Sequence, residues 1–160
     1  MNEFETLYRR HAPALVRFAW GLSGDRSTAE DLVSETFVRL LVRAPRIETR
    51  TALAYLLAVI RNIYLTGWRR QRREIALDDE MPAPGADPAV VFDDRRRLAE
   101  VLRALDGLPE GERAALLLRV DHELSYQDIA AALEISVVAA KVRVHRARLR
   151  LAGARQEQGS

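Results

Sequence analysis

The 160-residue chain has no cysteine, which excludes disulfides, thiolate zinc sites and cysteine nucleophiles together. Histidine is scarce too. His11, His122 and His145 are scattered along the chain, too few and too dispersed for a metal cage. No run of 18 or more apolar residues occurs, so no membrane-spanning helix is expected. The opening MNEFETLYRR lacks the apolar stretch of a signal peptide, which makes a cytoplasmic location the expectation. There is no glycine-rich phosphate loop, no pocket-like pair of carboxylates and no serine or histidine triad pattern. Neither an enzyme nor a bound cofactor is therefore expected. Lysine is almost absent as well: Lys141 stands alone beside 24 arginines.

What the chain does have is charge in blocks. With 48% apolar and 30% charged residues the composition is that of a folded protein. Its length suffices for one medium domain or two small ones. The net charge is only +2, yet residues 61–73 carry five arginines and no acid, residues 74–94 seven acids and no base, and residues 137–155 six bases and no acid. Such blocks either coat a solvated surface or make two contacts with one long polyanion across an acidic tether. Arginine, used here almost to the exclusion of lysine, suits bidentate contacts to phosphate and guanine.

Apolar periodicity is helical almost throughout. Phe4, Leu7, Leu15, Phe18 and Leu22 repeat near helical spacing, with Pro13 expected to kink or break the first helix. STAE at 27–30 has the form of a capping box. It opens a helix with an apolar stripe through Leu32, Val33, Phe37, Leu40 and Leu41, which Pro45 stops. Residues 51–73 read as one long helix with Leu53, Leu56, Leu57, Ile60, Tyr64 and Trp68 on one face. The pattern then dissolves into ALDDEMPAPGADPAVV, a flexible acidic linker. Beyond it, RRRLAEVLRAL forms a helix closed by Asp106-Gly107, and another starts after Pro109. A further helix is capped by Ser125 with Asp128, and the turn Glu134-Ile135-Ser136 leads from it into a basic helix.

Two short helices joined by a tight turn, the second one basic, form a helix-turn-helix. At about 100 degrees per residue, Val137, Ala140, Val144, Ala147 and Leu151 share one stripe, which faces the core. Val138, Val142, His145, Arg146 and Leu149 point the other way, flanked by Lys141 on one edge and Arg143 and Arg150 on the other. That outer side can enter a major groove, where an α-helix fits and base edges are readable. Ala130 and Ala131 are small enough for the close helix crossing. The expected fold is therefore all-α: two small helical domains, 1–74 and 94–155, joined by a flexible acidic linker at 75–93, the C-terminal one a helix-turn-helix.

Three blocks, AEDLVSETFVRLL, ALAYLLAVIRNIYLTGWRR and LPEGERAALLLRVDHELSYQDIAAALEISVVAAKVRVHRARLRL, occur in this order. Together they resemble the two domains of an extracytoplasmic-function (ECF) bacterial sigma factor. The resemblance covers essentially everything except the linker and the last few residues. It implies a protein that binds core RNA polymerase and directs it to particular promoters. The N-terminal domain, similar to sigma region 2, would bind the clamp helices of the largest polymerase subunit and the melted −10 element. The C-terminal domain, similar to region 4, would hold the −35 element.

Residue by residue, the resemblance places polymerase contacts at Asp31, Ser34 and Glu35, with Ser34 where the family usually has glutamine. On physics alone, Asp31 can equally serve as compensation for the helix dipole. The loop from Ala44 to Thr51 matches the segment that captures a flipped −10 base, whose extraction costs a few kcal/mol of stacking. Arg61, Asn62, Arg69 and Arg70 match the strand-separating face, where Thr66 and Gly67 replace an aspartate and an aromatic residue. Arg119, Lys141, Val142, His145 and Arg146 match positions facing the −35 groove. Val138 and Val142 replace small or hydroxyl-bearing residues, and Glu134 replaces the glycine of the turn. A valine can meet a thymine methyl group. The acidic linker of related proteins threads the RNA-exit path of polymerase, and an anti-sigma factor is a further implied partner. Three alternatives remain open at this point: a stand-alone helix-turn-helix regulator, a sigma mimic that sequesters an anti-sigma factor, and a purely structural helical protein.

Overall fold

A computed structural model describes residues 3–43, 52–68 and 91–158. The loop at 44–51, Arg69, Arg70 and the acidic linker up to residue 90 lie outside them. The described residues form α1 (Glu3–Ser23), α2 (Arg26–Arg43), α3 (Ala52–Ile63, continued by a π-helical turn Tyr64–Trp68), α4 (Val91–Asp106), α5 (Glu110–Val120), α6 (Tyr126–Leu133) and α7 (Val137–Gln158). No strand occurs among them, so the all-α expectation holds.

In the N-terminal half, α1 passes through Pro13 without a break. An interior proline costs about 3 kcal/mol through its missing N–H and a ring clash. Beyond it, Leu15, Phe18, Ala19 and Leu22 are fully buried, and at about 1.5–3 kcal/mol per large apolar side chain this burial outweighs the penalty. Gly24 ends the helix with φ +79, its N–H donating to Trp20 O at 2.7 Å, as a left-handed C-terminal glycine does.

The cap of α2 differs from the expected box at Ser27. Asp25 Oδ2 accepts from the Thr28 N–H at 3.0 Å and from the Thr28 hydroxyl at 2.6 Å, so Asp25 is the capping residue. Glu30 turns outward to Arg26 Nε at 3.3 Å. The buried stripe of α2 is Ala29, Leu32, Val33, Thr36, Phe37 and Leu40. Leu41, expected inside, is 60% exposed. Thr36 fits the core because its hydroxyl donates to Leu32 O at 2.8 Å.

The single helix expected over 51–73 is α-helical only to Ile63. At that point the Thr66 hydroxyl donates to Asn62 O at 2.9 Å and to Ile63 O at 3.2 Å, competing with the helix ladder for those carbonyls. Gly67 adds a weak helix former in the same turn. Leu56, Leu57, Ile60 and Tyr64 are buried as expected.

In the C-terminal half, the Ser125 cap is as expected: its hydroxyl accepts from the Asp128 N–H at 3.1 Å. Glu134 closes α6 in the left-handed region at φ 56, ψ 46. Ser136 then caps α7, accepting from the Ala139 N–H at 3.0 Å. Ala130 is buried at the crossing whereas Ala131 is exposed.

The two halves share one continuous apolar core, with α1 packed on α4 and α5, and α3 packed on α6. Arg113, a residue that periodicity does not single out, sits at their junction with 6% exposure. Its guanidinium donates to Leu105 O at 2.8 Å, Leu108 O at 3.0 Å and Asp106 O at 3.4 Å within its own half. Across the junction it donates to Leu22 O at 2.5 Å and Tyr64 Oη at 3.4 Å.

Candidate nucleic-acid interface

The helix-turn-helix presents α7 with a sharp division between its faces. Ala140, Val144 and Ala147 are fully or almost fully buried, while Val138, Lys141, Val142, His145, Arg146 and Leu149 are exposed. The inner stripe begins one turn later than expected, because Val137 is itself exposed. Between residues 137 and 155 the helix holds no acidic side chain, so no carboxylate on that stretch opposes its approach to a polyanion. Arg143 and Arg150, expected to flank this face, turn instead toward α5. The Arg143 guanidinium lies over Gly111, where an added Cβ would stand 2.8 Å from Nη1. Arg150 Nε lies 2.8 Å from Glu112 Oε2.

Arg119 is half-buried. It donates to Leu124 O at 3.0 Å, and its guanidinium carbon stands 4.4 Å from the centre of the Tyr126 ring. Lys141 Nζ lies 5.8 Å from the same ring. Tyr126, not picked out from the sequence, thus links two of the expected groove-facing residues. A cation on a neighbouring helix can stack on a ring in this way only once the helices are packed.

On the N-terminal half, Asp31, Ser34 and Glu35 are exposed along one side of α2, with Glu35 Oε1 accepting from Arg39 Nη2 at 2.9 Å. Val38 and Val42 continue that side as an exposed apolar extension. The i, i+4 spacing from Ser34 to Val38 to Val42 was the signal that would have found them. Asn62 is exposed and, with Thr36, Arg39, Leu40, Arg43, Tyr55 and Val59, lines an open cleft between α2 and α3. Arg61 is not part of that open surface. Its side chain is 13% exposed and makes a bidentate pair with Glu110 of the other half, Nε to Oε1 at 2.7 Å and Nη2 to Oε2 at 2.8 Å. The structure therefore brings Lys141, Val142, His145 and Arg146 together on one face and sets Arg61 apart from them. Among the described residues no cluster of histidine and carboxylate side chains is placed to hold a metal. No helix among them is long and apolar enough to cross a membrane.

Comparison with known proteins accounts for both halves. Residues 7–74 match the family model "Sigma-70 region 2" and residues 98–151 match "Sigma-70, region 4". The ECF RNA polymerase sigma factor EcfG of Rhodopseudomonas palustris is 36% identical over 146 residues, covering 87% of this chain and 77% of that protein. The chain belongs to the ECF RNA polymerase sigma factors. As a member of that family it is a DNA-binding, promoter-directing transcription initiation factor. The ECF sigma factor SigE of Mycolicibacterium smegmatis is 34% identical over 157 residues, 94% of this chain, which spans 61% of that longer protein. Among solved structures, the sigma factor RpoE crystallised with the anti-sigma factor NepR from Bartonella quintana is similar with a TM-score of 0.75 and 29% identity, covering 94% of this chain and 95% of that one. CnrH, solved with the cytosolic domain of CnrY, shares the fold with a TM-score of 0.70 at 24% identity, over 96% and 88% of the two chains. For this sigma factor, the basic outer face of α7 up to residue 151 belongs to region 4, and the side of α2 bearing Asp31 and Glu35 to region 2.

Proposed function

We propose that α7 reads the −35 element through Lys141, Val142, His145 and Arg146, with Arg119 supporting from α5, while α2 docks on the polymerase clamp through Asp31, Ser34 and Glu35. The observation that carries this reading is the outer face of α7 over residues 137–155, basic, free of acids and presented by a helix-turn-helix. Such a face fits the width of a major groove, and arginine and lysine there find guanine edges or phosphates. Val138 and Val142 are apolar groups of the right size to meet thymine methyls. Arg61, Asn62, Arg69 and Arg70 contact the melted −10 strand, beside the base-capturing loop 44–51. Region boundaries at 1–74, 75–93 and 94–155 follow from this division.

The chain contributes recognition, and the nucleotide chemistry is the polymerase's own, so it works in the cytoplasm beside the nucleoid. An anti-sigma factor is a fitting regulator, since the Bartonella relative was crystallised with one. Run-off transcription with core polymerase and a randomised promoter library tests the reading. Enrichment of paired upstream and downstream motifs is the expected result. Polymerase binding without any dependent transcript would sink it in favour of a sigma mimic that occupies an anti-sigma factor.

A further inference from the structure

We infer that Gly111 and Glu112 of α5 are positioning residues for DNA reading: they draw Arg143 and Arg150 off the edge of α7 and so confine the face that meets DNA to Lys141, Val142, His145 and Arg146. This rests on the reading of α7 as the −35 helix. Arg143 and Arg150 are seven positions apart, which puts them about two turns apart on one edge of the helix and within about 60° of Arg146 around its axis. Turned to solvent, both would add phosphate contacts beside the outer face. Such contacts strengthen binding to every sequence alike and carry no base information. The first turn of α5 takes both of them away, two of the six bases over residues 137–155.

Arg150 is held by charge. Its Nε stands 2.8 Å from Glu112 Oε2, and the carboxylate side chain is 10% exposed against 58% for the arginine. A carboxylate buried to that degree is costly to strip of its counter-ion, so Glu112 has little water to take the place of Arg150. Arg143 is held by shape. Its guanidinium occupies the space over Gly111, where the three atoms nearest an added Cβ are its Nη1 at 2.8 Å, Cζ at 3.2 Å and Nε at 3.6 Å. Any side chain at position 111 would evict it. Ala147, which lies between the two arginines on the helix, is fully buried, and α5 packs on α7. Neither Gly111 nor Glu112 belongs to the recognition helix, and their effect on DNA runs through the two arginines.

Gly111→Ala evicts Arg143 with a single methyl group and introduces a better helix former. Glu112→Gln keeps the shape of the side chain and removes its charge. Arg143→Gln and Arg150→Gln in the parent chain ask whether either arginine touches DNA, and the double variant Glu112→Gln with Arg150→Gln asks whether a released Arg150 causes the effect. Glu100→Gln removes the same charge from an exposed site on α4. Each full-length chain is titrated by fluorescence anisotropy with a short DNA duplex of random sequence over a series of salt concentrations. Circular dichroism verifies helicity, and nuclear magnetic resonance follows hydrogen exchange at the arginine Nε–Hε groups.

In the parent chain Arg143→Gln and Arg150→Gln are expected to leave the salt slope unchanged, whereas Arg146→Ala lowers it by about one. Gly111→Ala and Glu112→Gln should each steepen it by about one and tighten binding to the random duplex. The double variant should return to the parent slope, and Glu100→Gln should not move it. A parent slope that falls with Arg143→Gln or Arg150→Gln overturns the inference, since that arginine then reaches phosphate. An unchanged slope in Gly111→Ala or Glu112→Gln, with helicity intact, overturns the withholding of the arginine it was meant to release; this is the result a merely structural contact gives. Should one of these two variants lose helicity, the other decides. Arg146→Ala without effect on binding would remove the DNA reading of α7, and the exchange rates would still decide whether the two arginines are held. Arg143 and Arg150 should exchange roughly tenfold more slowly than exposed Arg148 in the parent chain, and rates equal to that of Arg148 overturn the inference.

Discussion

Glu134 occupies the left-handed region at φ 56, where a side chain costs about 1–2 kcal/mol. Its N–H donates to Ala131 O at 3.4 Å and the next one, of Ile135, to Ala130 O at 3.0 Å, so the turn is held despite that cost. Glu134→Gly is expected to raise stability by about 1 kcal/mol, or the melting temperature by about 2–4 °C, in thermal unfolding. On the proposed reading, substitutions of the exposed cations Lys141 and Arg146 of α7 are expected to change binding and leave stability nearly unaltered. Lys141→Ala or Arg146→Ala should weaken promoter duplex binding by about 1–3 kcal/mol where a base edge is lost. A lost phosphate contact should lower the salt slope by about one. Polymerase binding should stay intact in both variants, and Asp31→Ala should reverse the pattern; fluorescence anisotropy with DNA and with core polymerase separates the two. These exposed positions were legible because a helix of known start and period assigns every side chain a direction. Arg143 and Arg150 were not, because long side chains bend toward whatever charge or gap the neighbouring helix offers, here Glu112 and Gly111.

At the scale of the element, the caps separate two kinds of signal. Ser125 is a cap in the sequence and in the structure, accepting from the N–H three residues on, whereas Ser136, read from the sequence only as part of the turn, caps α7 in the same way. For α2, STAE pointed to Ser27, yet Asp25 takes the Thr28 N–H. A carboxylate two residues earlier, immediately before the helix, also suits the positive end of the helix dipole. Asp25→Ala should therefore cost about 1 kcal/mol, whereas Ser27→Ala should be close to neutral by chemical denaturation. The π-helical turn at Tyr64–Trp68 illustrates the limit of periodicity. Its cause is a hydroxyl redirecting two carbonyls, a local competition that an apolar pattern does not encode. Pro13 shows the opposite balance, a local breaker overridden by the buried stripe that follows it.

For the whole molecule, the junction between the halves carries a titratable group. The His122 side chain is 1% exposed, with Nε2 3.4 Å from Asp121 Oδ2. Burial lowers its pKa, Asp121 opposes that shift, and Arg17, itself 3.5 Å from Asp121, lowers it further. His11 is also lowered, by burial and then by Arg10. A lowered imidazole binds fewer protons when folded than when exposed. Stability is thus full above the ordinary value near 6.5 and falls as pH drops through 6.5 toward the lowered value. Thermal midpoints at pH 5.5 should lie below those at pH 7.5, and His122→Gln should shrink the difference; equal slopes for both chains would refute the assignment.

Local information was enough for the helices, the helix-turn-helix and the outward face of α7. Each of these depends on spacing within one element or on the composition of one segment, which a single chain carries in full. The tertiary structure alone decided that the halves share a core, that Arg113 bridges them and that Arg61 faces Glu110 rather than solvent. Those contacts join residues 49 and 91 positions apart, and no periodicity along a chain specifies which distant charge a guanidinium will meet. That choice is made by shape and desolvation when whole elements pack.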